Sequence, residues 1–150
     1  MTEDAQRGMN ASVKGFANEN RLLGALLERG YNVSKVDLPH SSYDLVLEHE
    51  KDMIRIQVKT VGVGESIPFT GGTRGGKDRE YKSDVIVGVL SEKTNGDSIT
   101  FYVFPTIMVE KWGTKSRSIN KEPHAKNQYQ YKYIERCKDK EFVVRMFSNT

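Results

Sequence analysis

The segment Asp84–Leu90, DVIVGVL, is almost continuously apolar, and it constrains the fold more than any other stretch. A strand with one face in water alternates polar and apolar residues. An unbroken apolar run needs cover on both faces, which places this segment in the centre of a sheet with layers on either side. At 150 residues, 17.0 kDa and 37% hydrophobic content, the chain can supply that core as a single domain spanning residues 1–150.

Upstream, YDLVLE and MIRIQVKT read as a hairpin closed by the polar turn His49–Asp52. In the second strand Ile54, Ile56 and Val58 point one way, and Arg55, Gln57 and Lys59 the other. A turn centred between Glu50 and Lys51 sets Asp44 opposite Gln57, with Lys59 further along the same face. A slip of one residue would separate them. Before the hairpin, Val13, Phe16, Leu23, Leu26 and Leu27 recur at helical spacing, with Ser12 as N-cap and Gly30 as stop. Residues 1–10 are expected to be frayed and flexible. YNVSKVD reads as a short strand, SITFYVFP as the neighbour of the central strand, TIMVEKWG as a helix stopped by Gly113, and EFVVRMF as a last short strand. Residues 61–82 carry six glycines and read as a functional loop rather than a core element. Trp112 and Phe101 are expected in the core. The fold class is α/β (α+β), a mixed sheet flanked by helices.

Charge narrows the function. Residues 1–50 hold five Lys/Arg and eight Asp/Glu, a balance of −3, whereas residues 111–140 hold nine and three, a balance of +6. The glycine-rich stretch 71–82 adds four basic and two acidic residues, +2. That asymmetry suits a polyanion, of which nucleic acid is the commonest, while charge alone fits a solvated basic face equally well. Candidate contacts are Arg55 on the hairpin, Arg74, Lys77, Arg79 and Lys82 in the loop, and Lys115, Arg117, Lys121 and Lys126 in the basic tail 111–140. The loop lacks Walker spacing, so a nucleotide-binding P-loop is not expected. The lone Cys137 allows no internal disulfide, and His40, His49 and His124 lack zinc-binding spacing. No apolar run is long enough to span a membrane, and the expected compartment is the cytoplasm.

Taken singly, the polar residues of the hairpin say little. A helical Glu is usually solvated, and an Asp–Lys pair on one strand face contributes a few tenths of a kcal/mol, roughly. Together, Glu19 on a helix, Asp44 on one strand and Gln57-Val58-Lys59 on the next resemble the PD-(D/E)XK nuclease superfamily. The resemblance spans roughly residues 12 to 105, including EYKSDVIVGVL, and within the superfamily is nearest to bacterial homing endonucleases of group I introns. It implies a restriction-endonuclease-like core and Mg2+-dependent cleavage of a long DNA site by a dimer or tetramer. It further implies Asp44, Glu19 and the Val58 carbonyl as metal ligands, with Lys59 beside the attacking water. Gln57 stands where the family has Asp or Glu, so one anionic ligand is missing and reliance on a single metal is expected. A Holliday-junction-resolvase-like nuclease and a non-catalytic DNA-binding module share the same fold and are the alternatives.

Overall fold

The computed structural model describes residues 2–38, 41–62, 65–69, 81–90, 99–118 and 127–147, the side chains of 4–12 and 127–129 excepted. Helix α1 (Glu3–Glu28) leads through Gly30, at φ 95°, into strand β1 (Asn32–Lys35). Strands β2 (Leu45–His49) and β3 (Asp52–Val61) form the hairpin, and a short strand β4 (Ser66–Pro68) follows. Next come β5 (Val85–Leu90), β6 (Phe101–Pro105), helix α2 (Thr106–Trp112), β7 (Ser116–Ser118), α3 (Asn127–Glu135) and α4 (Lys140–Phe147). Among the described residues no helix is long and apolar enough to cross a membrane.

Five strands make one mixed sheet in the order β1-β2-β3-β5-β6, antiparallel throughout except for the parallel β3–β5 pair. The apolar strand β5 is interior, as its composition requires. The hairpin has the expected register, with Leu45 opposite Ile56 and His49 opposite Asp52, and Glu50 takes the left-handed turn position at φ 56°.

Strand alternation splits the core into two layers. Ile54, Ile56, Val85, Val87 and Val103 pack with Leu22 and Leu26 of α1 and with Tyr133 and Ile134 of α3. On the other face Val61, Ile86 and Phe104 pack with Ile67, Phe69 and Val109. Each fully buried aliphatic or aromatic side chain contributes about 1.5–3 kcal/mol. Gly88 sits beneath β4: a Cβ there would lie 2.6 Å from Ile67 Cδ1 and 2.8 Å from Val61 Cγ2. The missing side chain lets β4 close onto the sheet.

Three expectations are corrected. Helix α1 begins at Glu3, so Ser12 lies inside it rather than capping it. The segment before Ser12 lacks proline and includes good helix formers such as Glu3, Ala5, Gln6 and Arg7. The loop 61–82 contains β4, which pairs with β7 and buries Ile67 and Phe69. Three residues are too few to show a period, and the partner strand is distant in sequence. Finally, EFVVRMF is helix α4, not a strand. Phe142, Val143 and Phe147 are buried at helical spacing, and Asp139 accepts the Phe142 N–H at 3.1 Å as an N-cap would. Its bond to Arg136, followed by that cap bond, holds the Asp139 carboxyl below its ordinary range. Phe101 is buried as expected, and Trp112 packs against Phe69, Phe104 and Phe147. Burial pushes the Cys137 thiol up to about 12, so it stays protonated and inert.

Candidate active site

Strand β2 stops at Leu45 because Tyr43 folds back onto Ser41, whose hydroxyl donates to the Tyr43 carbonyl at 2.8 Å. The ladder therefore ends one residue early on β3, where the Val58 N–H would be left unpaired. The Asp44 carboxylate takes its place, with Oδ2 accepting from Val58 N at 2.8 Å. Asp44 N–H donates to the Ile56 carbonyl at 2.8 Å, and its own carbonyl accepts from Val36 N at 2.9 Å. One residue thus ties three strands, and its carboxylate is anchored on the Val58 N–H. The N–H and C=O of a strand residue project to the same neighbour, so the Val58 carbonyl projects toward the same edge as Asp44.

Glu19 approaches this edge from α1 and meets Asp44 carboxyl to carboxyl. Burial raises the Glu19 pKa most. The Asp44 charge raises it further, and a hydrogen bond between the two carboxyls adds to the shift. Lys35 opposes these effects from β1, with Nζ 3.8 Å from Glu19 Oε2. That ammonium also donates to Asn20 Oδ1 at 3.1 Å and lies 3.8 Å from the centre of the Phe16 ring.

Gln57 and Lys59 share a face with Val61, opposite the face from which Thr60 meets α1. Both are half-buried. The structure therefore joins Glu19, Asp44 and the Val58 backbone directly. Gln57 and Lys59 stand on the adjoining strand across from the α1 side, and neither side chain is bonded to the carboxylate pair. Arg55, exposed on the same face, holds its guanidinium 5.7 Å from the Tyr43 ring. Lys82 and Lys115 are exposed, while Arg117 stacks 3.6 Å over Trp112. Arg74, Lys77, Arg79, Lys121 and Lys126 lie outside the described residues.

Lys35 and Asn18 are important here and were not singled out by the sequence, and Asp84 has a role of its own. Asp84 mirrors Asp44 on the other side of β3: its Oδ2 accepts from Arg55 N at 2.9 Å and lies 3.7 Å from Lys138 Nζ. The Lys138 ammonium in turn donates to the Met53 carbonyl at 2.9 Å, tying the C-terminal helices to the hairpin. Asp84→Ala removes the acceptor of an exposed backbone N–H and should cost about 0.5–1.5 kcal/mol in urea unfolding. A loss under about 0.5 kcal/mol, the range of ordinary surface changes, would count against that role. The sequence signal for Asp84 was its place in EYKSDVIVGVL, similar to an aromatic-x-x-Asp segment that heads a strand in small members of the superfamily.

A family model described as PD-(D/E)XK endonuclease matches residues 9–140 of the chain. Among solved structures, the chain is similar to a bacterial homing endonuclease, I-Ssp6803I. The TM-score is 0.53 and the identity 17%, over 92% of this chain and 94% of that one. No curated protein matches the sequence.

Proposed function

Because the chain belongs to the PD-(D/E)XK endonuclease family and is on that ground a DNA endonuclease, we propose that it is a Mg2+-dependent homing endonuclease. It would cleave double-stranded DNA at one long target site, from a gene within a group I intron, and act in the cytoplasm. The observation that carries this reading is the Glu19–Asp44 carboxyl pair at the end of β2, beside the strand that bears Lys59. The likeness to a homing endonuclease along nearly all of both chains supports the homing role.

The donor set suits a hard dication. Two carboxylates crowd each other, and a cation between them would relieve the repulsion. The Val58 carbonyl adds a neutral oxygen. Among the described residues no cluster of three or more His, Cys, Asp or Glu could hold a metal. Mg2+ fits such a sparse site because it keeps several waters. When bound, it would supply positive charge to the scissile phosphate and ease deprotonation of an attacking water. Asp44 and Glu19 would hold and orient it. Lys59 donates to a non-bridging phosphate oxygen, offsetting charge that builds as the new P–O bond forms and the old one breaks. One water proton ends on the leaving oxygen. Arg55, Lys82 and Lys115 offer exposed phosphate contacts, joined in this proposal by Arg74, Lys77, Arg79, Lys121 and Lys126. One site per chain cuts one strand, so a dimer or tetramer is proposed; a monomer by light scattering at micromolar concentration would count heavily against it.

The test is a plasmid carrying the intron-free form of the host gene. It should be linearised in Mg2+ and left intact in EDTA, with no preference for four-way junctions. If no duplex is cleaved in Mg2+ or Mn2+, the chain only binds DNA and the proposal is wrong. A single-metal site also predicts a rate that rises with Mg2+ without cooperativity.

The proton linkage has a definite sign. Glu19 holds its proton more tightly in the folded chain, with its pKa above the ordinary 4.5, owing to burial first and Asp44 second. Metal-free stability should therefore fall as pH rises from about that value through the raised range. Mg2+ replaces the proton, so the rise in Tm on adding Mg2+ should grow across the same window, with protons released on binding. Glu19→Gln should flatten both effects in paired thermal melts and calorimetry.

A further inference from the structure

Asn18 is only 3% exposed, and both ends of its amide are engaged. Its Nδ2 donates to Thr60 Oγ1 at 3.1 Å, and its Oδ1 accepts from Arg21 Nη1 at 3.0 Å. The same Nη1 donates to the Leu90 carbonyl of β5 at 3.3 Å. A polar relay thus runs from α1 to β3 and from α1 to β5. Its position matters: Asn18 immediately precedes Glu19, and Thr60 immediately follows Lys59.

Among the described side chains, the buried apolar contacts of α1 lie to one side of this position. Leu22 and Leu26 anchor the helix on the C-terminal side of Asn18, whereas Val13 and Phe16 on its other side are 64% and 61% exposed. Glu19 therefore sits at the N-terminal end of the buried apolar stripe among the described side chains. Hydrophobic burial is non-directional and tolerates sliding or tilting there, whereas hydrogen bonds specify both distance and angle.

We propose that Asn18, through Thr60 and Arg21, is a positioning residue that fixes Glu19 beside Asp44 for divalent-cation binding; this rests on the nuclease reading of the site. Residues that orient metal ligands from outside the ligand set typically alter affinity by about 10–100-fold.

The experiment is a titration of the full chain with Mn2+, which takes the same octahedral oxygen donors as Mg2+, followed by calorimetry and by electron paramagnetic resonance of the free ion. Asn18→Leu keeps the volume and removes both hydrogen bonds. It should weaken Mn2+ binding by about 10-fold or more. Thr60→Val should do the same, Thr60→Ser should restore affinity, and the Asn18→Leu/Thr60→Val double variant should be no weaker than either single one. In a Glu19→Gln background, Asn18→Leu should change nothing further, because the residue it positions is no longer a carboxylate. Wild-type affinity in Asn18→Leu, or an equal loss in the Glu19→Gln background, overturns the inference while leaving the nuclease reading intact. A wild-type chain that binds no Mn2+ overturns both. If Asn18→Leu does not fold, the Thr60→Val and Thr60→Ser pair decides the matter alone.

Discussion

Asp44→Asn should lower the rate of DNA cleavage by about 1,000-fold, the equivalent of several kcal/mol of charge stabilisation at the reacting phosphate. The asparagine oxygen can still accept the Val58 N–H that Asp44 Oδ2 now holds at 2.8 Å, so the strand ends should stay paired. Thermal unfolding should move little. In EDTA the variant should bind duplex DNA as tightly as the wild type or more tightly, since it removes an anion from a phosphate-facing surface. Lys59→Ala should lower the rate by about 100–1,000-fold, as for loss of one preorganised donor to developing negative charge. Gel assays of single-turnover cleavage, paired with DNA binding, read both effects. If either variant cleaves at the wild-type rate, the site is misassigned.

Ile56→Ala should destabilise the chain by about 2–5 kcal/mol, out of a total stability of about 5–15 kcal/mol for a domain of this kind. Ile56 is fully buried, between its hairpin partner Leu45 and Val85 of β5. Truncation leaves a cavity that neighbours on both sides cannot fill, since β3 is an interior strand. Its carbonyl also accepts the Asp44 N–H at 2.8 Å, so loosening β3 here should reduce metal affinity as well. Met53, three residues earlier on the same strand, is 51% exposed and serves as the control. Met53→Ala should change stability by no more than about 0.5 kcal/mol. Chemical denaturation of the two variants side by side checks the contrast. Equal losses would mean that the layer assignment of β3 is wrong.

The hairpin was legible in the sequence because its information is local. A period of two and a four-residue turn admit one register that buries Ile54 and Ile56, and that register carries Asp44 to the end of the ladder. The interior position of β5 was legible for a similar reason, since an apolar run has no solvent face to offer. Helix α4 was misread because Phe and Val favour strands in general, and that preference outweighed the spacing of Phe142, Val143 and Phe147 and the capping signal at Asp139. Strands β4 and β7 were invisible because each is three residues long and pairs with a segment far away in the chain.

The candidate site divides along the same line. From the sequence by itself, residue types and strand spacing gave the hairpin register that sets Asp44 at the end of β2 across from β3. Only the tertiary structure decided that Glu19 meets Asp44 directly, that Lys35 opposes their repulsion, and that Asn18 hydrogen-bonds α1 to β3 at that point. The physical reason is range. Strand alternation and turn length act over a few residues, whereas the docking of a helix on a sheet depends on side chains separated by 42 positions, as Asn18 and Thr60 are.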